Sequence, residues 1–345
     1  MQTQTTDLLP DPSLSPTDQL PPERPSTLHN VFFGDEGLRA GWSILIFVAL
    51  MAVSFWGVNA LGPLLHLVPV RSATQSSVTL RFAFLAESLP LAATLLVTWI
   101  MSKIERRPNS VYGLGGRRKL SHFLAGLAWG VACLSLLCLI LWKTGLFVSN
   151  GRLLFGFDAL RYGTLWFLGF LLVGFFEEYL NRGYLLFTIS RGLSGIYQWI
   201  FKTRHSKALG FWTAAILIAL FFGLSHGKNP NESPIGLLAA TLVSLVFCLS
   251  LWRTGSLWWA IGFHASWDWA QSFLYGASDS GIMIEQHLLA THPFGKPLMS
   301  GGATGPEGSI FVLLVLVLVS LIIIFTLPRT NSGYASKLPS PPIEA

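Results

Sequence analysis

The chain has 345 residues, of which 52% are hydrophobic and 12% charged, about half the ~25% charge typical of a globular protein. This excludes a disordered chain, a coiled coil and a collagen-like fibre, and it leaves too little polar surface to cover a soluble globule. The net charge of +6 comes from basic residues in short loops between apolar runs. There is no basic stripe interleaved with aromatics, so the partner these charges imply is a lipid bilayer and not a nucleic acid.

In chain order, residues 1–38 are polar and hold six prolines between Pro10 and Pro25, which predicts a disordered tail. Eight apolar segments come next, at 40–62, 80–102, 122–142, 163–189, 208–226, 234–252, 256–275 and 309–327. Most approach the ~20 residues that cross a ~30 Å hydrocarbon core. A backbone in lipid must satisfy its own hydrogen bonds, so such runs are helices. The fold class is therefore an all-α polytopic membrane protein of about eight transmembrane helices.

Cys133, Cys138 and Cys248 all fall inside apolar runs and are expected to be small packing residues. The loop 103–119 carries six Lys or Arg and the loop 190–207 carries four. The other side is poorer, with Arg71 alone in its first loop, Lys228 in its third and Lys296 in its fourth. The positive-inside rule then places both termini on the cytoplasmic face. Ile196, Trp199, Ile200 and Phe201 stand among charges, which suggests that 190–207 lies along the membrane surface.

Ionisable side chains within a spanning helix are costly and point to function. They are Glu87 in the second segment, Glu177, Glu178 and Arg182 in the fourth, His226 at the end of the fifth, and His264 and Asp268 in the seventh, the few others sitting mostly near segment ends. Glu178 and Arg182 are four apart and share a helix face. Glu177 is turned about 100° from Glu178 and has no such local partner, so it is the candidate general base. His264 and Asp268 are also four apart and project together. Two carboxylates, an Arg, two His and an Asp on three separate segments can activate water and stabilise an oxyanion.

In order, Glu177-Glu178-x-x-x-Arg182, Phe222-x-x-x-His226 and His264-x-x-x-Asp268 resemble the CPBP/Abi family of intramembrane proteases, similar to the type II CAAX prenyl protease. The resemblance covers about residues 160–275. It implies an eight-helix membrane bundle with endopeptidase activity, eukaryotic members removing the last three residues of prenylated CAAX proteins. It further implies Glu177 as the base acting on the attacking water, His226 holding that water, His264 and Asp268 on the oxyanion side, and Glu178 and Arg182 ordering the site. The prenyl-protease branch typically carries Asn where this chain has Asp268.

Two mechanisms stay open at this point. One needs no cofactor. The other uses a zinc ion held by Glu177, His226 and His264 with water in the fourth position, although no His-Glu-x-x-His helix is present. The metal-free form is preferred.

The expected organisation is a 1–38 tail, N-terminal transmembrane helices over 39–150, a protease-like core over 151–280, a loop and last helix over 281–328, and a 329–345 tail. The substrate is a membrane-associated peptide or protein. From other classes come two alternatives: a non-catalytic scaffold or bacteriocin-immunity protein, and a proton-coupled transporter. Placing Glu177, His226 and His264 at one site requires tilted or uneven helices, because simple spans set them at different depths.

Overall fold

The structure is a computed structural model that describes residues 31–34, 37–62 and 77–327. Most of the 1–38 tail and all of the 329–345 tail lie outside the described residues, as does Arg71. The described end of the first tail is ordered, which corrects the expectation there. Phe33–Gly34 pairs with Gly37–Leu38 as short antiparallel strands, and Arg191 donates to the Leu38 carbonyl at 2.9 Å.

The protein is an all-α bundle. Its helices are α1 (Ala40–Leu61), α2 (Leu80–Ile104), α3 (Lys119–Lys143), α4 (Gly156–Glu178), α5 (Leu186–Phe201), α6 (Ser206–His226), α7 (Pro234–Thr254), α8 (Trp258–Trp269) and α9 (Phe311–Thr326). Local sequence starts and stops several of them. Thr79 caps α2 by accepting from the Phe82 N–H at 3.2 Å. Ser233 caps α7 by accepting from the Gly236 N–H at 3.0 Å, just ahead of Pro234 in the first turn. Gly255 ends α7 in the left-handed region at φ +65°, where a side chain would be strained.

All eight predicted segments are helical, but among the described residues only six helices are long and apolar enough to cross a membrane. The two exceptions are informative. The seventh segment becomes α8, 12 residues, continued by a five-residue π-helical stretch, Ala270–Leu274. The eighth is α9, 16 residues, whose last carbonyls accept from the Arg253 guanidinium at 2.5 and 2.7 Å.

The fourth segment is longer than predicted. Helix runs without a break from Gly156 to Phe201, 46 residues, with a π-helical stretch at Tyr179–Leu185 joining α4 to α5. Residues 190–201 are thus the end of this long helix and pack on α6, with Ile196, Trp199, Ile200 and Phe201 exposed. Small residues permit it: a Cβ on Gly210 would collide with Ser194 and the Ser190 carbonyl.

Two small sheets gather at one end of the bundle. β1 (Ser77–Val78) pairs in parallel with β3 (Met283–Ile284). β2 (Phe147–Arg152) pairs antiparallel with β4 (Leu289–Pro293), with a register shift between Ser149 and Gly151. They tie the long connection between α8 and α9 to the ends of α2 and α3.

The short α8 is held at the centre by α3. Gly126 and Gly130, four apart, meet Gly262 and Ser266 of α8, also four apart, and a Cβ on Gly126, Gly130 or Gly262 would strike backbone atoms of the facing helix. In lipid, association depends on such close packing because burying apolar surface gains little.

Gly130→Ala is therefore expected to lower the thermal stability of the detergent-solubilised protein by ~1–3 kcal/mol, the usual cost of overpacking. An unchanged melting temperature would show that α3 and α8 can separate freely.

Candidate active site

The site is built where α4 and α8 touch. Gly174 makes the contact: a Cβ there would lie 3.1 Å from the Ala265 nitrogen and 3.3 Å from the Ile261 carbonyl. One helical turn further along α4 come Glu177 and Glu178, and beside Ala265 on α8 comes His264.

Glu178 is fully buried and accepts from two sides. Arg182 Nη1 donates to its Oε1 at 2.6 Å, with both side chains at 0% exposure. His264 Nδ1 donates to the same oxygen at 2.9 Å. The Arg182 guanidinium also lies 4.4 Å from the centre of the Phe222 ring and 5.4 Å from that of Phe247. Its charge is met by a carboxylate on one side and aromatic faces on the other.

The other nitrogen of His264 faces carboxylates. Nε2 is 3.7 Å from Glu177 Oε2 and 3.4 Å from Asp268 Oδ2. With Nδ1–H committed to Glu178, this geometry calls for a proton on Nε2 or on one of the two facing carboxyls. The imidazole is thus held by Glu178 and its Nε2 is aimed between Glu177 and Asp268.

Glu177, Asp268, His264 and His226 all line one cavity of about 330 Å³. His226 sits at the C-terminal end of α6, and its Nδ1 donates to the Phe222 carbonyl of its own helix at 2.7 Å. That bond fixes the tautomer and leaves Nε2 free to accept. Its ring lies 4.6 Å from that of Phe222.

Four of the sequence-predicted residues therefore line one cavity, and Glu178, paired with Arg182, holds His264 without lining it. Uneven helices make this happen: Glu177 falls deep within the 46-residue helix, whereas His226 falls at the end of its own. Glu87, set aside in the sequence, lines the same cavity one turn before Pro90.

Asp279 and Glu307, on the α8–α9 connection, also line the cavity and carried no sequence signal, since acidic residues in loops are ordinary. Glu307 Oε1 accepts from the Ser280 N–H at 2.5 Å and from its hydroxyl at 3.1 Å. The Ser272 hydroxyl donates to Asp279 at 3.4 Å. Burial, with Asp279 beside it, pushes Glu307 up from 4.5 to about 8. Burial, with Asp268 nearby, raises Asp279 well above its ordinary value. Glu307 thus keeps its proton at neutral pH.

Among the described residues no three His, Cys, Asp or Glu side chains converge as metal ligands. His264 spends Nδ1 on Glu178, and His226 spends Nδ1 on a backbone carbonyl. Each histidine is thereby left with Nε2 as its remaining ring nitrogen.

Residues 160–270, which hold every one of the predicted site residues, match the family model described as type II CAAX prenyl endopeptidase Rce1-like. This segment is a CPBP/Abi-family, Rce1-like domain. At the level of the family, the Rce1-like domain is that of an intramembrane CAAX-type protease. No curated protein and no solved structure matches the chain. The domain begins early in α4 and ends at the π stretch after α8, so Glu87, Asp279 and Glu307 enter its cavity from outside it.

This geometry generates two expectations. Arg182→Ala leaves the buried Glu178 without its cation and is expected to cost ~3–5 kcal/mol, read as a drop in expression and thermal midpoint; a well-folded variant would mean that His264 alone suffices. The second concerns pH. The folded protein keeps a proton on Glu307 that the unfolded chain releases near 4.5, so this residue's contribution is lost as pH rises from there to about 8 and falls no further above. The thermal midpoint should decline over that window, and Glu307→Gln should flatten the decline; parallel curves for the two proteins would refute a proton held on Glu307 in the folded state.

Proposed function

We propose that the chain is an intramembrane endopeptidase that hydrolyses a peptide bond of a membrane-associated peptide or protein, using a water activated by Glu177. One observation carries this reading: Glu177 and Asp268 lie 3.7 and 3.4 Å from the same imidazole nitrogen, in the wall of a cavity of about 330 Å³. That volume is within the range of small-ligand sites, and it takes a short extended peptide.

The chemistry is set by the donors and acceptors. Glu177 accepts one hydrogen of a water, and the free Nε2 of His226 accepts the other. The water oxygen attacks the carbonyl carbon as Glu177 takes the proton, and the C=O electron pair moves onto oxygen. His264 Nε2–H donates to this oxyanion, and Asp268 keeps that nitrogen oriented. When the tetrahedral species collapses, the C–N bond breaks and Glu177 returns its proton to the leaving nitrogen. Glu178 and Arg182 do not touch substrate; they hold His264 in place. No step requires a metal.

Phe170, Trp166 and Trp267 give the cavity apolar walls. They favour a segment with apolar side chains, as membrane-associated peptides have.

Glu177→Gln keeps the side-chain shape and removes the base. Incubated with a membrane-protein preparation, the purified variant is expected to release peptides at least ~10²-fold more slowly than the unaltered protein, at an unchanged melting temperature. Equal release would overturn the mechanism. Activity is also expected to survive a strong chelator. Loss restored by added zinc would make Glu177, His226 and His264 metal ligands instead.

A further inference from the structure

The walls of the cavity are uneven in charge. Among the described residues, five carboxyls line it, those of Glu87, Glu177, Asp268, Asp279 and Glu307, and no Lys or Arg does. Arg81 at the start of α2 and Arg161 in α4 stand near it along the chain, but both are exposed and outside the lining. The basic groups in the lining are the imidazoles of His226 and His264, and each has one nitrogen already engaged.

Four of the five carboxyls have protein partners. Glu177 and Asp268 face His264, Ser272 donates to Asp279, and Ser280 donates to Glu307. Glu87 is the exception. Among the described residues its carboxyl has neither a hydrogen bond nor an ion pair. The charged groups that act on it through space are Glu177 and His264, both also in the lining. An ionisable group within a spanning helix that no protein group meets is costly, and it points to a partner from outside.

A backbone acceptor lies beside it. Pro90 has no N–H, so the carbonyl of Ala86 lacks the donor that an α-helix supplies four residues on. Ala86 lines the cavity as well. An ammonium or a guanidinium, which only donates, answers both acceptors.

The surroundings of Glu87 suit a long side chain. Phe82 and Ala83 on α2 and Phe170 and Val173 on α4 line the same cavity, and the two helices pack together. Lys and Arg lay their methylene stems on such apolar surface and carry the charge at the tip. A cation is also drawn to aromatic faces.

We propose that Glu87 determines specificity: it receives the Lys or Arg side chain of the polypeptide segment being cut, with the Ala86 carbonyl as a second acceptor. This rests on the proteolytic reading above. A cavity of about 330 Å³ is roughly 7 Å across and spans about two extended residues at ~3.3 Å each. The basic residue therefore lies next to the scissile bond or one position further along, in an otherwise apolar segment. Glu87 stands outside residues 160–270, so this preference belongs to α2 of this chain and not to the matched domain.

The test maps cleavage sites by mass spectrometry after a membrane-protein preparation is incubated with the purified full chain, with Glu87→Gln and with Glu177→Gln. Sites that depend on Glu177 are expected to carry Lys or Arg at those positions several-fold more often than the preparation as a whole. In Glu87→Gln, release at these basic sites is expected to fall at least ~10-fold relative to release at sites without a basic residue. The ratio is read within one protein, so a loss of folded enzyme lowers both alike and cannot imitate the effect. An absence of Glu177-dependent release overturns the protease reading, and the proposal with it. Glu177-dependent release without enrichment of Lys and Arg, or an enrichment that Glu87→Gln leaves intact, overturns the proposal alone.

Discussion

The arrangement of the site hangs on one buried carboxylate. Glu178 is at 0% exposure, and removing a carboxylate from water costs several kcal/mol unless cations and donors meet it. It obtains them from two places, Arg182 on the next turn of its own helix and His264 on α8. The first bond is local and is dictated by spacing alone. The second crosses between helices, and it forms only because Gly174 lets α4 approach the α8 backbone and because Gly126 and Gly130 seat α8 against α3. Small residues far from the chemistry thereby fix the imidazole. Glu177, one position earlier, is turned towards the cavity and stays free to act on water.

Both helices that carry the site change pitch directly after it. α4 passes into the Tyr179–Leu185 π stretch after Glu178, and α8 into the Ala270–Leu274 stretch after Asp268. A π turn widens the helix and rotates the residues beyond it, and such turns gather at functional positions. Here the first redirects the long helix, so that α5 packs on α6 while α4 stays on α8. The second ends α8 beneath the connection that supplies Asp279 and Glu307. Local backbone irregularity thus converts straight membrane helices into a walled cavity.

Much of this was legible in the sequence. Intramembrane Glu177, Glu178, Arg182, His264 and Asp268 stood out because an ion in lipid needs a reason, and i,i+4 spacing paired two sets of them. The helical segments were legible from apolar runs. Helix lengths were not, since the 46-residue helix crosses a charged stretch that reads as a loop and α8 shares its apolar run with a π stretch. β2 and β4 were missed because Ser149, Asn150 and Gly151 are poor strand formers, held only by their partner. Asp279 and Glu307 were missed because burial of a loop carboxyl is a tertiary fact.

The location of the cavity at one end answers the difficulty that any hydrolase in a membrane faces: water and a polar backbone must both reach a base within the apolar layer. Glu177 sits deep in its helix, yet Ser272, Asn229, Ser280 and Asp279 lead to it from the connections at that end. These groups can solvate a water chain at every step, whereas the apolar faces of Trp166 and Phe170 across the cavity cannot. On the side of residues 103–119, Glu105 accepts from Tyr112 and Tyr184, and Arg191 donates to the Leu38 carbonyl and the Ser43 hydroxyl. The base, the imidazole and His226 instead face the cavity that Ser272, Asn229, Ser280 and Asp279 line.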